Sequence, residues 1–560
     1  MRASRWILLG LLVLAVWYRA HTFGPSVRAA VGFDLWPRTI GESEPLDCDE
    51  AAYASIGRRI LTGDVLYRDV TENKPPLGYW VYAAAVALGG YRELAIRLLP
   101  YPFILATIAL VWRIAARMGG RLAAPVAAWL FIMLSTDPYL FGNGADFEHI
   151  MNCFSVAVLA LLASERPSRR LVFAAGVCLG LAVLVKQVAI VQALPAVLFL
   201  AMRRKDDPSA EPSLARRAAD VLALALGVAA TAGAAALVLT LQGAGAAAFD
   251  DIFRYGRALA TDTLPEPGAP SPLIRWLTGN ADPQGRLPSP FGSTDYLVWW
   301  GTGSWPTFLA SVPAVFYLLF HRGSSGTRRL AAGWTLAAWA EVVLPGLYWP
   351  HYYLLPTPGV AIAVAVALAD AAGLSLAHAT RRRIAPALAV IGLATACAGE
   401  TYLQARDYLW VAPEELTIRY KGGRQWVVLR SMGRQLAARA RLWRDPRLYI
   451  WGWQSPLHFY SRLDSPTRHF FVDNLLRDQA DRDHPLIKPR TEEIARVLRA
   501  HPPQLIFTGY PPFRELRAIL DEHYLPSSTW RGLWILREDY GRFEIEGEAD
   551  RGVTGPRAPR

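Results

Sequence analysis

The sequence contains little cysteine and little charge. Of its 560 residues only four are cysteine, with no C-x-x-C pair among them. This excludes a disulfide scaffold, a metal knuckle and a thiol redox motif. Charged residues make up 19%, against about 25% in soluble proteins, whereas hydrophobic residues reach 53%. The composition therefore predicts a polytopic all-α membrane protein.

Lysine is also scarce. Five of the 59 basic residues are lysine, and the formal net charge is +12. In a soluble protein such an excess would suggest nucleic acid, but these residues lie mostly in short loops between apolar segments, so we expect no nucleic-acid partner. Lysine is present near membrane segments at Lys74 and Lys186. This suggests that arginine cannot replace lysine in the function of these two positions.

Apolar segments predict about eleven membrane-spanning helices, because a span needs about 20 largely apolar residues. They are 6–23, 95–116, 122–141, 149–163, 171–185, 188–202, 221–241, 303–320, 330–348, 352–373 and 384–402. The stretch 77–90 is shorter and follows two prolines, so we predict a juxtamembrane or re-entrant helix there, with a twelfth span as the alternative. We expect 6–23 to be an uncleaved anchor, because no clean small-x-small cleavage site follows it.

The basic clusters give the orientation. With eleven spans, the clusters near residues 2–5, 113–121, 166–170, 203–217, 322–329 and 381–383 all fall on one side. The positive-inside rule assigns that side to the cytoplasm. The N-terminus is then cytoplasmic, and the loops 24–74 and 249–300 and the C-terminal region lie outside.

This topology divides the chain into a transmembrane domain, 1–404, an extracytoplasmic domain, 405–545, and a disordered tail, 546–560. In the second domain, short apolar runs at 448–451, 469–472 and 504–508 alternate with helix-like stretches at 491–500 and 513–523. Such alternation is typical of a small α/β domain with a partly parallel sheet.

The first outer loop carries the strongest local signal. Asp47, Asp49 and Glu50 begin a predicted amphipathic helix at the membrane interface. Asp47 and Glu50 have the three-residue spacing of a capping box, and the helix dipole favours an acid at Asp49. A capping box does not need a second acidic residue beside it, so we expect a functional role for Asp49 and Glu50.

The segment 49–100, with Glu72-Asn73-Lys74-Pro75-Pro76 and Arg97-Leu98, resembles the protein O-mannosyltransferase-like branch of the GT-C glycosyltransferases. That branch includes lipid A aminoarabinose transferases and rhizobial galacturonosyltransferase-like proteins. The resemblance continues more loosely through 142–148, 186–187, 351–353 and 449–456. It implies an inverting enzyme that moves a sugar from a polyprenyl-phosphate donor to a lipid, glycan or protein acceptor. The reaction would take place on the outer face of the bacterial cytoplasmic membrane.

The resemblance also implies roles for individual residues. Asp49 would be the general base or orient the acceptor, with Glu50 and Glu148 assisting. Lys74 would contact the donor phosphate. Position in the predicted topology adds further candidate phosphate contacts, namely Arg97, Lys186, His351 and Tyr352. Some relatives carry a carboxylate directly before the lysine, where this chain has Asn73 and places Glu72 one position earlier. A role for that acidic position is therefore not carried over.

Structural explanations compete with each assignment. Lys74 and Lys186 fit interfacial snorkelling, and His351 and Tyr352 fit an aromatic belt. Asp146 and Glu148 fit a helix N-terminus, although with His149 they would also suit a divalent cation. We expect no obligatory metal, because a phosphate leaving group needs mainly charge stabilisation and the acceptor loses one proton.

Three other functions remain as alternatives. A transporter or flippase of lipid-linked saccharide tends to show internal repeats and polar groups at mid-membrane, whereas this chain has no obvious repeat and few deep acids, Glu341 and Asp370. A ligase or polymerase using a diphosphate-linked oligosaccharide would also place its cations outside. A non-catalytic relative would bind lipid-linked sugar without turnover.

Overall fold

The structure is a computed structural model that describes residues 2–163, 167–202, 213–262, 304–345, 347, 349–377 and 384–544. Several sequence predictions fall outside these residues. They are the basic residues at 166, 203–205 and 381–383, most of the predicted loop 249–300, and the predicted tail 546–560.

Helices dominate the first 408 residues. They are α1 (Arg2–Arg19), α2 (Gly24–Val31), α3 (Cys48–Leu61), α4 (Leu77–Gly89), α5 (Glu93–Leu98), α6 (Tyr101–Leu134), α7 (Phe147–Leu162), α8 (Arg169–Val185), α9 (Ala193–Met202), α10 (Leu214–Leu241), α11 (Gly245–Phe249), α12 (Gly256–Asp262), α13 (Trp305–Phe320), α14 (Gly326–Val343), α15 (Thr357–Ala377) and α16 (Ile384–Tyr408). Short 3-10 helices occupy Ala20–Phe23, Pro138–Leu140, Gln187–Gln192 and Pro350–Leu354, and a π-helix occupies Asp250–Tyr255.

Within the described residues, four helical stretches are long and apolar enough to cross a membrane by length and composition. These are Ser4–Val31, Glu93–Leu134, Leu214–Leu241 and Pro350–Gly373. Shorter apolar helices occur at Leu77–Gly89, Phe147–Leu162, Gln187–Met202 and Trp305–Phe320. The chain is thus a mostly helical membrane protein, while the number eleven remains a prediction.

The break predicted between the segments 95–116 and 122–141 is present. The range of α6 covers most of both segments, but its helical conformation is interrupted at Gly120 by a φ of 76°. That left-handed conformation is accessible to glycine at little cost. The predicted short helix 77–90 forms as α4, whose 13 residues span about 20 Å at 1.5 Å per residue.

Close packing brings three helices together at one end of the bundle. A Cβ at Gly57 of α3 would lie 2.8 Å from the backbone nitrogen of Ala83 in α4. A Cβ at Gly78, in the first turn of α4, would lie 2.3 Å from the ring of Phe147 in α7. The missing side chains therefore let α4 pack directly on α3 and α7.

The C-terminal region contains helices and a sheet. Its helices are α17 (Pro413–Tyr420), α18 (Gln425–Arg439), α19 (Pro456–Ser461), α20 (Asn474–Gln479), α21 (Lys488–Ala500) and α22 (Arg514–His523), and its strands are β1 (Leu448–Trp451), β2 (Leu505–Thr508), β3 (Tyr524–Pro526) and β4 (Leu533–Leu536). The strand order is β1-β2-β4-β3. The β1–β2 pair is parallel and the other two pairs are antiparallel.

The strand predicted at 469–472 is wrong. Its residues join no ladder of the sheet. The adjoining backbone instead faces the first outer loop, where the Arg468 carbonyl accepts a hydrogen bond from the Thr71 N–H at 3.0 Å. Tertiary contact thus overrides the strand preference of the short apolar run.

The C-terminal region packs directly on the first loop and α3. The Leu46 N–H donates to the Tyr460 hydroxyl at 2.9 Å. Arg58 forms an ion pair with Asp464, and the Ser455 hydroxyl donates to the carbonyl of Cys48. These contacts place the sheet-containing region beside the residues predicted to carry the chemistry.

Candidate active site

The site begins at the N-terminus of α3. Asp47 is the N-cap, its carboxylate accepts from the Glu50 N–H at 3.0 Å, and Glu50 accepts from the Asp47 N–H at 3.1 Å. The predicted capping box is therefore confirmed. Asp49 takes no part in the box and remains partly exposed. Its carboxylate lies with Asp146 and His351 in a cluster whose ligating atoms are all within 4.8 Å of one another.

Lys74 extends from the irregular segment between α3 and α4. Its Nζ lies 3.6 Å from Glu72 Oε1 and 5.2 Å from the centroid of the Tyr53 ring. Although burial acts in the opposite direction, Glu72 and Asp49 raise the pKa of Lys74. The backbone is fixed as well, because the Tyr67 hydroxyl donates to the Lys74 carbonyl at 2.8 Å. A permanently charged ammonium is thus held in a defined place.

Lys186 lies on the other side of this cluster. It follows the last residue of α8 and forms a buried ion pair with Glu148 of α7. Its Nζ also lies 4.5 Å from the centroid of the Tyr352 ring. His351 Nε2 is 3.9 Å from Glu148 Oε1. The structure therefore brings Lys186, Glu148, His351 and Tyr352 together, as predicted, and gives Lys186 a partner that the sequence did not identify.

Asp146 is not explained by helix capping. It occupies the N-cap position of α7, but its side chain makes no capping hydrogen bond. Oδ2 is buried and has no hydrogen-bond partner among the described residues. Burial, followed by the charges of Asp47 and Glu148, raises the pKa of Asp146 well above its usual range. This carboxyl group favours the protonated form and faces Asp49.

The cluster of Asp49, Asp146 and His351 also has the donor set of a cation site. Two carboxylates and an imidazole suit several divalent ions, and the group meets the distance requirement for shared coordination. The imidazole of His351 can either bind a metal or take part in a hydrogen bond.

Arg97 and Glu50 are placed differently from the prediction. Arg97 Nη1 donates to Glu50 Oε1 at 2.6 Å, and Nη2 donates to the carbonyl of Pro45 at 2.7 Å. Both side chains are almost fully buried. Glu50 Oε1 also accepts from the Ala145 N–H at 2.8 Å. These contacts indicate that Arg97 and Glu50 support two loops. They do not favour the predicted phosphate contact of Arg97 or the predicted catalytic role of Glu50.

Sequence reasoning missed the rest of this buried network. Lys421 Nζ lies 3.3 Å from Glu44 Oε1 and 3.7 Å from Asp47 Oδ2. Arg19 donates to the carbonyls of Ser135 and Gly144 at 2.8 and 3.1 Å. One signal was available, because Lys421 is one of only five lysines, and the scarcity that singled out Lys74 and Lys186 applies equally to it.

Comparison with known proteins places this geometry in context. Residues 73–232 match the family model described as dolichyl-phosphate-mannose-protein mannosyltransferase. No curated protein matches the sequence. The solved structure of ArnT from Cupriavidus metallidurans bound to undecaprenyl phosphate superposes with a TM-score of 0.56 and 15% identity, covering 95% of this chain and 98% of that one.

Two further structures are similar. ArnT from the same organism in the apo state gives a TM-score of 0.53 at 16% identity, covering 96% of this chain and 98% of that one. Archaeal oligosaccharyltransferase AglB from Archaeoglobus fulgidus, in complex with an inhibitory peptide and a dolichol-phosphate, gives 0.48 at 13% identity, covering 90% of this chain and 69% of that one.

The ArnT comparisons show that the fold extends over nearly the whole chain, and the family model covers the segment from the Lys74 region to α10. The family-model match and the ArnT comparisons both support the resemblance to the GT-C superfamily that the sequence suggests.

Proposed function

We propose that the protein transfers a sugar, with inversion, from a polyprenyl-phosphate donor to a hydroxyl acceptor. The reaction takes place on the extracytoplasmic face of a bacterial cytoplasmic membrane, and the acceptor is an envelope lipid, glycan or protein. The fold is shared with ArnT, whose structure holds undecaprenyl phosphate, and this supports a lipid phosphate as the donor leaving group.

One observation carries the proposal. Of the acidic residues that begin α3, Asp49 alone stays outside the capping box and remains partly exposed, next to a fixed ammonium at Lys74. A carboxylate and a nearby cation are the two groups that the reaction requires. The carboxylate accepts the acceptor proton, and the cation stabilises charge on the departing phosphate.

The proposed step is a single displacement. The acceptor oxygen forms a bond to the anomeric carbon while the bond from that carbon to the phosphate oxygen breaks. The electron pair leaves with the polyprenyl phosphate, and the acceptor proton passes to Asp49. Lys74 pairs with the phosphate as a compact point charge.

The neighbouring groups complete the donor site in this proposal. Lys186 adds positive charge beside Tyr352, and its ion pair with Glu148 fixes its position. His351 offers a hydrogen bond to sugar or phosphate. Because two lysines supply the charge, the reaction proceeds without an obligatory divalent cation and without another cofactor.

The test is incubation of purified protein in nanodiscs with a panel of radiolabelled polyprenyl-phosphate sugars, alongside Asp49→Asn. We expect the wild type to turn over one donor. The variant should lose roughly 100-fold to 10,000-fold in rate, the usual contribution of a general base, with donor binding and thermal unfolding nearly unchanged.

Three results would contradict the proposal. Wild-type rates in Asp49→Asn would remove the base assignment. Tight donor binding without turnover by either protein would favour a flippase or a non-catalytic binder. Turnover of a diphosphate-linked donor alone would favour the ligase or polymerase alternative.

A further inference from the structure

The segment that carries Lys74 is held from two sides. Within the N-terminal 404 residues, Tyr67 donates to the Lys74 carbonyl, and Gln187 Nε2 donates to the carbonyl of Asn73 at 3.4 Å. Thr71 is held by the C-terminal region. Its N–H donates to the Arg468 carbonyl at 3.0 Å, and its Oγ1 lies 3.2 Å from His469 Nδ1.

Glu493 of α21 fixes these two C-terminal residues in turn. Its carboxylate accepts from Arg468 Nε and Nη2 at 2.9 and 3.0 Å, and Oε2 lies 3.3 Å from His469 Nε2. Burial acts in the opposite direction, but the hydrogen bonds from His469 and Arg468 hold the pKa of Glu493 at about 2. The carboxylate is therefore ionised at neutral pH and orients both partners.

The junction between the two regions leaves little free space. The cavity lined by Thr71, Glu72, His469 and Arg490 has a volume of about 20 Å³. That is room for one or two water molecules and far too small for a sugar. His469 and Thr71 are themselves buried. The contact is thus a close-packed support of the Lys74 segment, and it is not a ligand pocket.

We propose that Thr71, His469 and Glu493 are positioning residues for Lys74. The C-terminal region then contributes to donor binding by holding the segment that carries this lysine. The inference rests on the proposed function, because it takes Lys74 as the phosphate contact. A small displacement of a positioned cation lowers transition-state and substrate binding steeply. Loss of this support therefore weakens the donor interaction while leaving the Asp49 chemistry in place.

The experiment compares Thr71→Val with Thr71→Ser, and adds Glu493→Gln. Thr71→Val keeps the shape and the backbone hydrogen bond but removes the hydroxyl, whereas Thr71→Ser keeps the hydroxyl. We expect Thr71→Val and Glu493→Gln to raise KM for the donor and Kd for undecaprenyl phosphate about tenfold, the effect of one buried hydrogen bond. The kcat should change less than about twofold, and Thr71→Ser should restore wild-type values.

Two control variants separate positioning from general damage. Thr491→Val removes a buried hydroxyl of α21 that donates only within its own helix, to Ile487 and Lys488. Asp483→Asn removes an exposed partner of Lys488. Neither residue touches the Lys74 segment, so we expect wild-type KM and Kd from both. Thermal unfolding of each variant shows whether the fold is retained.

The outcomes are distinguishable. If Lys74→Ala weakens binding of undecaprenyl phosphate but Thr71→Val and Glu493→Gln bind normally, the positioning role is overturned and the proposed function stands. Equal losses in Thr491→Val would show general destabilisation and would also overturn it. If Lys74→Ala itself binds normally, the donor assignment and this inference both fall.

Discussion

Asp49 and Glu50 are neighbours in the first turn of α3, yet they belong to two regions of the molecule. Asp49 is partly exposed, as is Lys74, and its carboxylate lies close to Asp146 and His351. Glu50 belongs to a dry network with Arg97, Glu44 and Lys421, in which nearly every charge has a fixed protein partner. One residue along the helix, a turn of about 100°, thus separates a partly exposed acid from a buried and paired one.

The largest predicted effect is on stability, and it concerns the buried network around Arg97. Arg97→Met leaves Glu50 as a buried charge without its cationic partner, while Glu44 keeps Lys421, and this should cost about 3–5 kcal/mol in the free energy of unfolding. Thermal unfolding in nanodiscs measures the loss. Arg419→Met is the control, because its 3.4 Å pair with Glu415 is exposed and should be worth less than about 1 kcal/mol. A stable Arg97→Met protein with weakened donor binding would restore the phosphate contact predicted from the sequence.

The next effect lies in the cleft. Lys74→Ala should weaken binding of undecaprenyl phosphate by roughly 10-fold to 100-fold, because a charge-assisted contact of about 1.5–3 kcal/mol is lost, with little change in stability. Isothermal titration calorimetry in detergent measures the Kd for undecaprenyl phosphate. Lys488→Ala, an exposed lysine paired with Asp483, should bind normally. If Lys74→Ala failed to fold, we would conclude that Lys74 supports the fold, as Arg97 does, and does not serve as a donor contact.

The boundary between the two regions is Asp47. Asp47→Ala removes the cap of α3 and should cost about 1 kcal/mol, whereas Asp47→Asn retains an acceptor and should cost much less. The transfer rate of both variants should remain within about threefold of wild type, since neither touches the reacting groups in our proposal. If Asp47→Asn lowered the transfer rate as much as Asp49→Asn does, the distinction between a structural Asp47 and a catalytic Asp49 would be wrong.

The smallest effect is expected on removal of metal. Dialysis against EDTA should change the transfer rate by less than about twofold, because Lys74 and Lys186 supply the charge that a cation would otherwise provide. Readdition of Mg²⁺ or Mn²⁺ should have equally little effect. Loss of activity that returns with one metal would assign a catalytic cation to Asp49, Asp146 and His351.

Local patterns predicted local structure well. The spacing of Asp47 and Glu50 predicted the capping box, and the two prolines before Leu77 predicted the start of α4. The runs at 448–451 and 504–508 form strands β1 and β2. Each of these features is decided by residues only a few positions apart, so the sequence contains the necessary information.

Features that depend on distant residues were not predictable in this way. The partner of Glu50 is 47 residues away in Arg97, and Lys421 reaches Glu44 from the C-terminal region. The run at 469–472 has the composition of a strand, but its neighbour is the first outer loop. No periodicity reveals which long-range partner a charge will meet, and this is why Arg97 was assigned to the phosphate.

The bonds between Thr71 and the residues 468 and 469 join positions 397 and 398 apart in the chain. Synthesis proceeds at about 5–20 residues per second, so roughly 20–80 seconds separate the appearance of the two partners. During that interval the growing polypeptide already contains its proposed base and its phosphate lysine. The Lys74 segment acquires its second anchor only after residues 468 and 469 have been made, so in our proposal the nascent chain lacks full affinity for the lipid donor until then.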